Sequence, residues 1–420
     1  MNASAVSLQR RQCLRIGWLA GLSLLAAPRL ATATAGCPPR TGWVPMDDFL
    51  ADLPRLMQAL GVPGVGIAVV EAGAPSWSQV YGLADAAQGT PATDDTLFEV
   101  ASLSKPVFAY LVLQLVDRGE LDLDRPLVAT LRPEYLGTHP WLARITARDV
   151  LRHSTGLPNW RKDPAHERLE PAAEPGTRID YSGEAIFWLQ RVVEAITGES
   201  LDATARRLLF EPAGMHDSTF AWDANVAARS VHGHRAPGDD TPGAPAQVLR
   251  EQWNAALRVA QGNGSTLSDW RYGDAARALA DVQAATPAGL VNWPGDIVAN
   301  AAASLRCTVR DYARFMALMV RTQETSWELK PSTRQAMLSK QIDVPGRWND
   351  KTLGWNVEAT AQGPVFHHSG SNSGIFKNFA LGDAARQRAL VVLTNGANGA
   401  LLYRRVVRAA TGLDLLAFDV

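Results

Sequence analysis

Hydrophobic and polar positions change their period several times along the chain. From Asp47 to Leu60 apolar residues recur at helical spacing, which predicts an amphipathic helix. Short β-rich runs follow at Val65 to Val70 and Trp77 to Gly82. A turn carrying Gly73 and Pro75 separates them, so they predict a hairpin. From about Thr96 to Thr219 helical periodicity dominates. Val107 to Val116 is a strongly apolar helix stopped near Gly119, and Ala185 to Ile196 is another, stopped at Gly198. Over residues 223–300 the pattern is weaker. Pro237 to Pro245 reads as a loop, and the segment after it as helix bearing tryptophan. Thr308-Val309-Arg310-Asp311 has the form of a capping box opening a helix through Met319. Strand-like runs return near Leu353 to Glu358, Asn378 to Leu381 and Ala389 to Thr394, and Leu401 to Ala410 closes as a helix.

This order predicts an α+β fold. An antiparallel sheet is built from both chain ends, about 60–95 and 350–400, and is flanked by helices. A mostly helical insertion spans about 100–320. Sheet edge and insertion then meet in a cleft, a common place for a ligand site.

The first 35 residues stand apart: they hold four arginines and no acidic residue. The apolar stretch Ile16 to Ala27 is short for a membrane span and suits a signal-peptide core. Ala31-Thr32-Ala33 and Ala33-Thr34-Ala35 are cleavage sites of the right kind. The expectation is a signal peptide over 1–35 and an exported, periplasmic domain over 36–420. Gln9-Arg10-Arg11-Gln12-Cys13-Leu14 resembles a twin-arginine signal, which leaves that route and the general secretory route both open. Ala35-Gly36-Cys37 is a faint lipoprotein box, and a buried N-terminal helix is the bland alternative. No later run is long and apolar enough for a membrane segment, so no span is expected after signal removal.

Composition narrows the class. Of 420 residues, 46% are hydrophobic and 20% charged, the balance of a folded protein. With 41 basic and 42 acidic residues there is no basic excess of the kind nucleic-acid binders show. Three cysteines make no dense disulfide framework. With Cys13 in the leader, Cys37 and Cys307 remain, and whether they pair stays open.

Three segments carry candidate chemistry. In Ser102-Leu103-Ser104-Lys105, Lys105 is the one lysine of six with a serine three residues earlier. On a helix that spacing puts both side chains on one face. A serine hydroxyl needs a base to become a nucleophile, and a lysine serves only if burial or a neighbouring cation lowers its pKa. A capping serine beside a surface lysine is the bland alternative. Tyr181-Ser182 precedes the Ala185 helix, and a tyrosine there is either a proton shuttle or a packing residue. His368-Ser369-Gly370-Ser371 offers backbone N–H groups for an oxyanion, with a glycine that lets the strand approach a ligand closely. His367 and His368 also read as metal ligands, but no second cluster at metal spacing accompanies them, so no metal or cofactor is expected.

Taken in order, these pieces resemble the serine β-lactamase and penicillin-binding protein superfamily. The chain is most similar to the class C β-lactamase-related group, with its D-alanyl-D-alanine carboxypeptidases and esterases. Supporting text includes Phe98-Glu99-Val100-Ala101 before Ser102, Gly119-Glu120-Leu121-Asp122-Leu123, and Leu151-Arg152-His153-Ser154-Thr155-Gly156-Leu157-Pro158. The resemblance implies that Ser102 is acylated, Lys105 is its base and Tyr181 relays protons. It also implies that the strand of His368, Ser369 and Gly370 binds substrate, and that the N–H groups of Ser102 and Ser371 hold the oxyanion. Two positions depart from the family pattern. Gly183 stands where an asparagine is usual, and His368 stands where the third motif usually begins with lysine. A charged His368 is expected to hold an anionic substrate group and to lose it as pH rises. Gly183 is expected to weaken β-lactam hydrolysis unless Ser182, Asn159 or Asn372 replaces the amide. The implied protein is an exported serine acyl hydrolase for a β-lactam, a D-amino-acid peptide or an ester, a small-molecule or peptide substrate with cell-wall material in scope. A non-catalytic binding or scaffold protein on the same fold is the alternative.

Overall fold

The computed structural model describes residues 42–239, 245–323, 325–343 and 350–419. The signal-peptide expectation, Cys37 and part of the Pro237 to Pro245 loop lie outside the described residues.

Among the described residues ten strands occur: β1 (Gly64–Glu71), β2 (Ala74–Asp85), β3 (Thr90–Pro91), β4 (Phe98–Glu99), β5 (Arg306–Cys307), β6 (Asp350–Lys351), β7 (Asn356–Thr360), β8 (Gly363–Asn372), β9 (Phe376–Asp383) and β10 (Arg388–Thr394). Eight of them form one antiparallel sheet in the order β3-β2-β1-β10-β9-β8-β7-β6. The two chain ends join where β1 pairs with β10, Val65 opposite Thr394 through Val70 opposite Ala389. That is the sheet expected from the strand–helix–strand pattern.

The joined strands are apolar on both faces, and the strand period of two sorts their side chains. Val65, Ile67, Val69, Leu390 and Val392 pack with helices α1 (Asp47–Leu60) and, from the far end of the chain, the helix over Gly399–Thr411. Ala68, Val70, Ala389, Val391 and Leu393 face the larger core, where the inserted helices lie. The insertion contains α2 (Ser104–Asp117), α3 (Ala147–Leu151), α4 (Gly183–Thr197) and α5 (Val309–Val320). Residues Ser104 through Leu115 of α2 are all buried, which accounts for an apolar run with little amphipathic contrast. Across 223–300 the weaker pattern resolves into helices at Ala224–Arg229, Pro245–Gly262 and Tyr272–Ala284, with Trp253 and Trp270 buried.

Two local expectations shift. The strand near Leu353 begins at Asn356, because Leu353 and Trp355 are buried in the turn before it. The capping box at Thr308 is only half formed. Thr308 Oγ1 accepts from the Asp311 N–H at 3.2 Å, but the Asp311 carboxylate turns to the Asp217 N–H and the Ser218 hydroxyl. The His368 segment, read as a strand, is β8, paired between β7 and β9. Cys307 is a buried thiol in β5. Among the described residues no helix is long and apolar enough to cross a membrane.

Candidate active site

The short β4–β5 ladder sets the position of Ser102. It pairs Phe98 with Cys307 and Glu99 with Arg306. The Glu99 carboxylate is buried against the Arg306 guanidinium at 3.0 Å and accepts from the Asn372 amide at 2.5 Å. The chain then enters a single 3-10 turn, Ala101–Leu103, before α2. Ala101 has φ +55°, a left-handed conformation that costs a non-glycine residue about 1–2 kcal/mol. Surrounding bonds hold the turn. Ser104 Oγ donates to Ala101 O at 2.6 Å and accepts from the Leu305 N–H at 3.1 Å, and the Tyr312 hydroxyl donates to Leu103 O at 2.9 Å.

From this base Lys105 reaches back one turn. Its Nζ donates to Ser102 Oγ at 3.0 Å and to Ala302 O at 2.8 Å. The lysine is only 2% exposed. Burial, and then the charge of Lys351, lower its pKa to about 7. A neutral amine in contact with the serine is what nucleophile activation requires.

Tyr181 closes the other side. Its ring centre lies 4.6 Å from Lys105 Nζ, and its phenol is near enough to Ser102 to feel the serine hydroxyl. Burial raises the Tyr181 pKa despite that neighbour, so the phenol keeps its proton at neutral pH. His153 grips the tyrosine from both sides. The His153 carbonyl accepts from the Asp180 N–H at 2.8 Å, Nδ1 accepts from the Ser182 N–H at 3.2 Å, and the ring packs 4.4 Å from the tyrosine ring. Ser182 caps α4 by accepting from the Ala185 N–H at 3.0 Å, so Gly183 is the first helical residue.

The third segment runs alongside. Ser102, Lys105, Tyr181, His368, Ser369 and Ser371 line one cavity of about 360 Å3. Gly370 lies beneath the line: a Cβ there would sit 2.3 Å from Val100 O and 3.3 Å from Ser102 N. Glycine therefore lets β8 close against the serine turn. The Ser371 hydroxyl accepts from Lys377 Nζ at 2.9 Å.

The expectation of a charged His368 fails. Its Nδ1 donates to the Ser369 carbonyl at 2.7 Å, leaving Nε2 as an acceptor. The ring is buried, and burial first, then the charges of Lys351 and Lys105, hold its pKa well below the usual imidazole value. A neutral histidine cannot supply the cation that the third motif usually brings. Nor do His367 and His368 form a metal pair, since successive strand residues point to opposite faces. His367 stacks on Phe379 at 5.6 Å, whereas His368 faces Tyr181 at 6.2 Å.

The place of the missing asparagine is filled by an indole. A Cβ on Gly183 would lie 2.2 Å from Trp160 Cζ2. Of the three proposed substitutes, Ser182 is used as the cap and donates to Pro158 O, and the Asn372 amide donates to Glu99 and to Ala303 O. Asn159 lines the cavity, and its Oδ1 accepts from the Gly183 N–H at 2.9 Å. Next to it, Arg161 and Glu184 form a buried ion pair, 2.8 Å from Nε to Oε1, under the rings of Tyr135 and Trp293. This pair anchors the 158–161 loop to α4.

Lys351 was not anticipated. It lines the cavity, 5.8 Å from the Tyr181 ring centre. One signal was available: it is one of six lysines and abuts the apolar run Leu353-Gly354-Trp355. His153 and Trp160 were likewise given no role from sequence.

The chain matches the family model described as Beta-lactamase over residues 30–412, and it belongs to that family of serine β-lactamase and penicillin-binding-protein-like hydrolases. It is similar to the Esterase EstB of Burkholderia gladioli, 34% identical over 175 residues that cover 34% of this chain and 43% of the esterase. It is similar also to Penicillin-binding protein 4 of Amycolatopsis lactamdurans, 34% identical over 171 residues, or 37% of this chain and 44% of that protein. The chain thus spans less than half the length of these curated relatives. A solved class C β-lactamase has the same fold: TM-score 0.63 at 18% identity, covering 87% of this chain and 97% of that one.

Proposed function

We propose that the protein is an exported serine acyl hydrolase that forms an acyl-enzyme on Ser102, with short esters its preferred substrates. The observation that carries this reading is the contact of buried Lys105 with Ser102 Oγ at 3.0 Å. Once Lys105 has lost its proton, the direction of this hydrogen bond reverses. The amine then takes the serine proton as Oγ bonds to the acyl carbon. The carbonyl electrons move onto the oxygen, which the N–H groups of Ser102 and Ser371 stabilise. The phenol of Tyr181 gives its proton to the leaving alcohol as the acyl–oxygen bond breaks, and is reprotonated through Lys105. Water then attacks the acyl-enzyme by the same route in reverse. Export rests on the composition of residues 1–35.

The preference for esters rests on Trp160 over Gly183 and on the similarity to an esterase. The test compares turnover of short acyl esters with that of a chromogenic cephalosporin, on wild type and Ser102→Ala. Ester turnover should exceed cephalosporin turnover and fall roughly 10³-fold or more in Ser102→Ala. Full activity in Ser102→Ala removes the reading, and binding without turnover of any acyl donor supports a scaffold instead.

A further inference from the structure

Two buried lysines stand around one tyrosine ring. Lys105 Nζ is 4.6 Å and Lys351 Nζ 5.8 Å from the centre of Tyr181. Their surroundings differ. Lys105 is in contact with Ser102, and burial with the Lys351 charge lowers its pKa to about 7. Lys351 sits on the edge strand β6 and donates to Asn356 Oδ1 across the β6–β7 pair. It is 7% exposed and reaches the same cavity from the side of β7 and β8. Among the described residues the cavity lining contains no Asp or Glu, so an incoming anion meets no like charge there. His368, at the head of the third motif, is neutral. The positive wall of the cleft is therefore contributed by a neighbouring strand, 17 residues earlier in the chain.

We propose that Lys351 is the anion-recognition residue of this cleft and takes a carboxylate carried by the acyl donor. This rests on the acyl-hydrolase reading above and names a substrate class for it: esters or amides bearing a free carboxylate near the scissile bond. A lysine ammonium is a compact charge with three donors, so one can remain on Asn356 while another meets a carboxylate oxygen. The proposal makes the His368-for-lysine replacement a relocation of the cation and not its loss.

The experiment uses an aryl acetate and the same ester with a carboxylate on the aryl ring. Both are assayed at about pH 8, above the Lys105 value of about 7, on wild type, Lys351→Met and Lys351→Arg. In Lys351→Met the ratio of kcat/KM, carboxylated over neutral, should fall roughly tenfold or more, mainly through KM, and Lys351→Arg should restore it. An unchanged ratio, or equal loss of kcat for both esters, overturns the assignment. Should Lys351→Met fail to fold, inhibition of the wild-type enzyme decides. An aryl carboxylate should compete at least several-fold more strongly than its amide, and equal inhibition overturns the proposal. Mass spectra of the wild type with the neutral ester separate the two readings. Absence of a Ser102 adduct removes the hydrolase reading, whereas an adduct with an unchanged ratio removes only the role of Lys351.

Discussion

Two helix starts meet in the cleft, and they are built in opposite ways. At α2 the serine and lysine lie one turn apart on the same segment, and the helix geometry itself brings Nζ to 3.0 Å from Oγ. At α4 the tyrosine precedes the helix and depends on distant chain. His153 holds the backbone on both sides of it, Asn159 binds the first turn, and the Arg161–Glu184 pair ties that loop down. In the first start the reacting pair is local, with Lys105 buried and Ser102 half-buried. The second is a junction of segments some 20–30 residues apart. The serine–lysine contact is thus set within one segment, whereas the place of Tyr181 is set by contacts between segments distant in sequence.

Breaking the junction should have the larger effect. Arg161 and Glu184 side chains are 2% and 1% exposed. Glu184→Gln leaves a buried guanidinium short of its counter-charge, which costs roughly 3–5 kcal/mol. Urea unfolding should show that loss of stability. Destabilisation below about 1 kcal/mol would mean that the pair does not anchor the loop.

Straining the junction should have a smaller effect. Gly183→Asn brings a Cβ to 2.2 Å from the Trp160 indole, which must move. The indole is 42% exposed and can swing outward, so the cost should stay at or below about 1 kcal/mol, under the range for a packed core. Thermal melts should show Gly183→Asn destabilised and Gly183→Asn/Trp160→Ala partly recovered, a non-additive pair. Restoring asparagine alone should not raise cephalosporin turnover. If it does so at wild-type stability, the indole is not what replaces the amide.

The same contrast explains what the sequence made legible. The contact between Ser102 and Lys105 was legible because their relation is local. The sheet was found because Val65 to Val70 and Ala389 to Thr394 carry a strand pattern wherever they pair. Lys351 was missed because its proximity to Tyr181 arises from strand pairing and not from spacing. His368 was assigned the wrong charge for a related reason. Its protonation depends on burial and on two lysines that sequence does not bring near it. Gly183 was read as a missing amide, when its smallness makes room for Trp160, 23 residues earlier.

Activation of Ser102 needs a neutral Lys105, and the rate of Ser102 acylation against pH tests this most directly. Burial and the Lys351 charge hold Lys105 near pKa 7, and only its deprotonated form can take the serine proton, so the rate should rise as pH increases through about 7. The measurement is rapid-quench intact mass with an activated neutral ester, over about pH 5–9, on wild type and Lys105→Met. Expected are one acyl group on Ser102, a rate climbing through about pH 7 in wild type, and acylation roughly 10³-fold or more slower in Lys105→Met above that pH, with the gap narrowing below it. An adduct on another residue, or a Lys105→Met protein acylated at the wild-type rate, would contradict this mechanism.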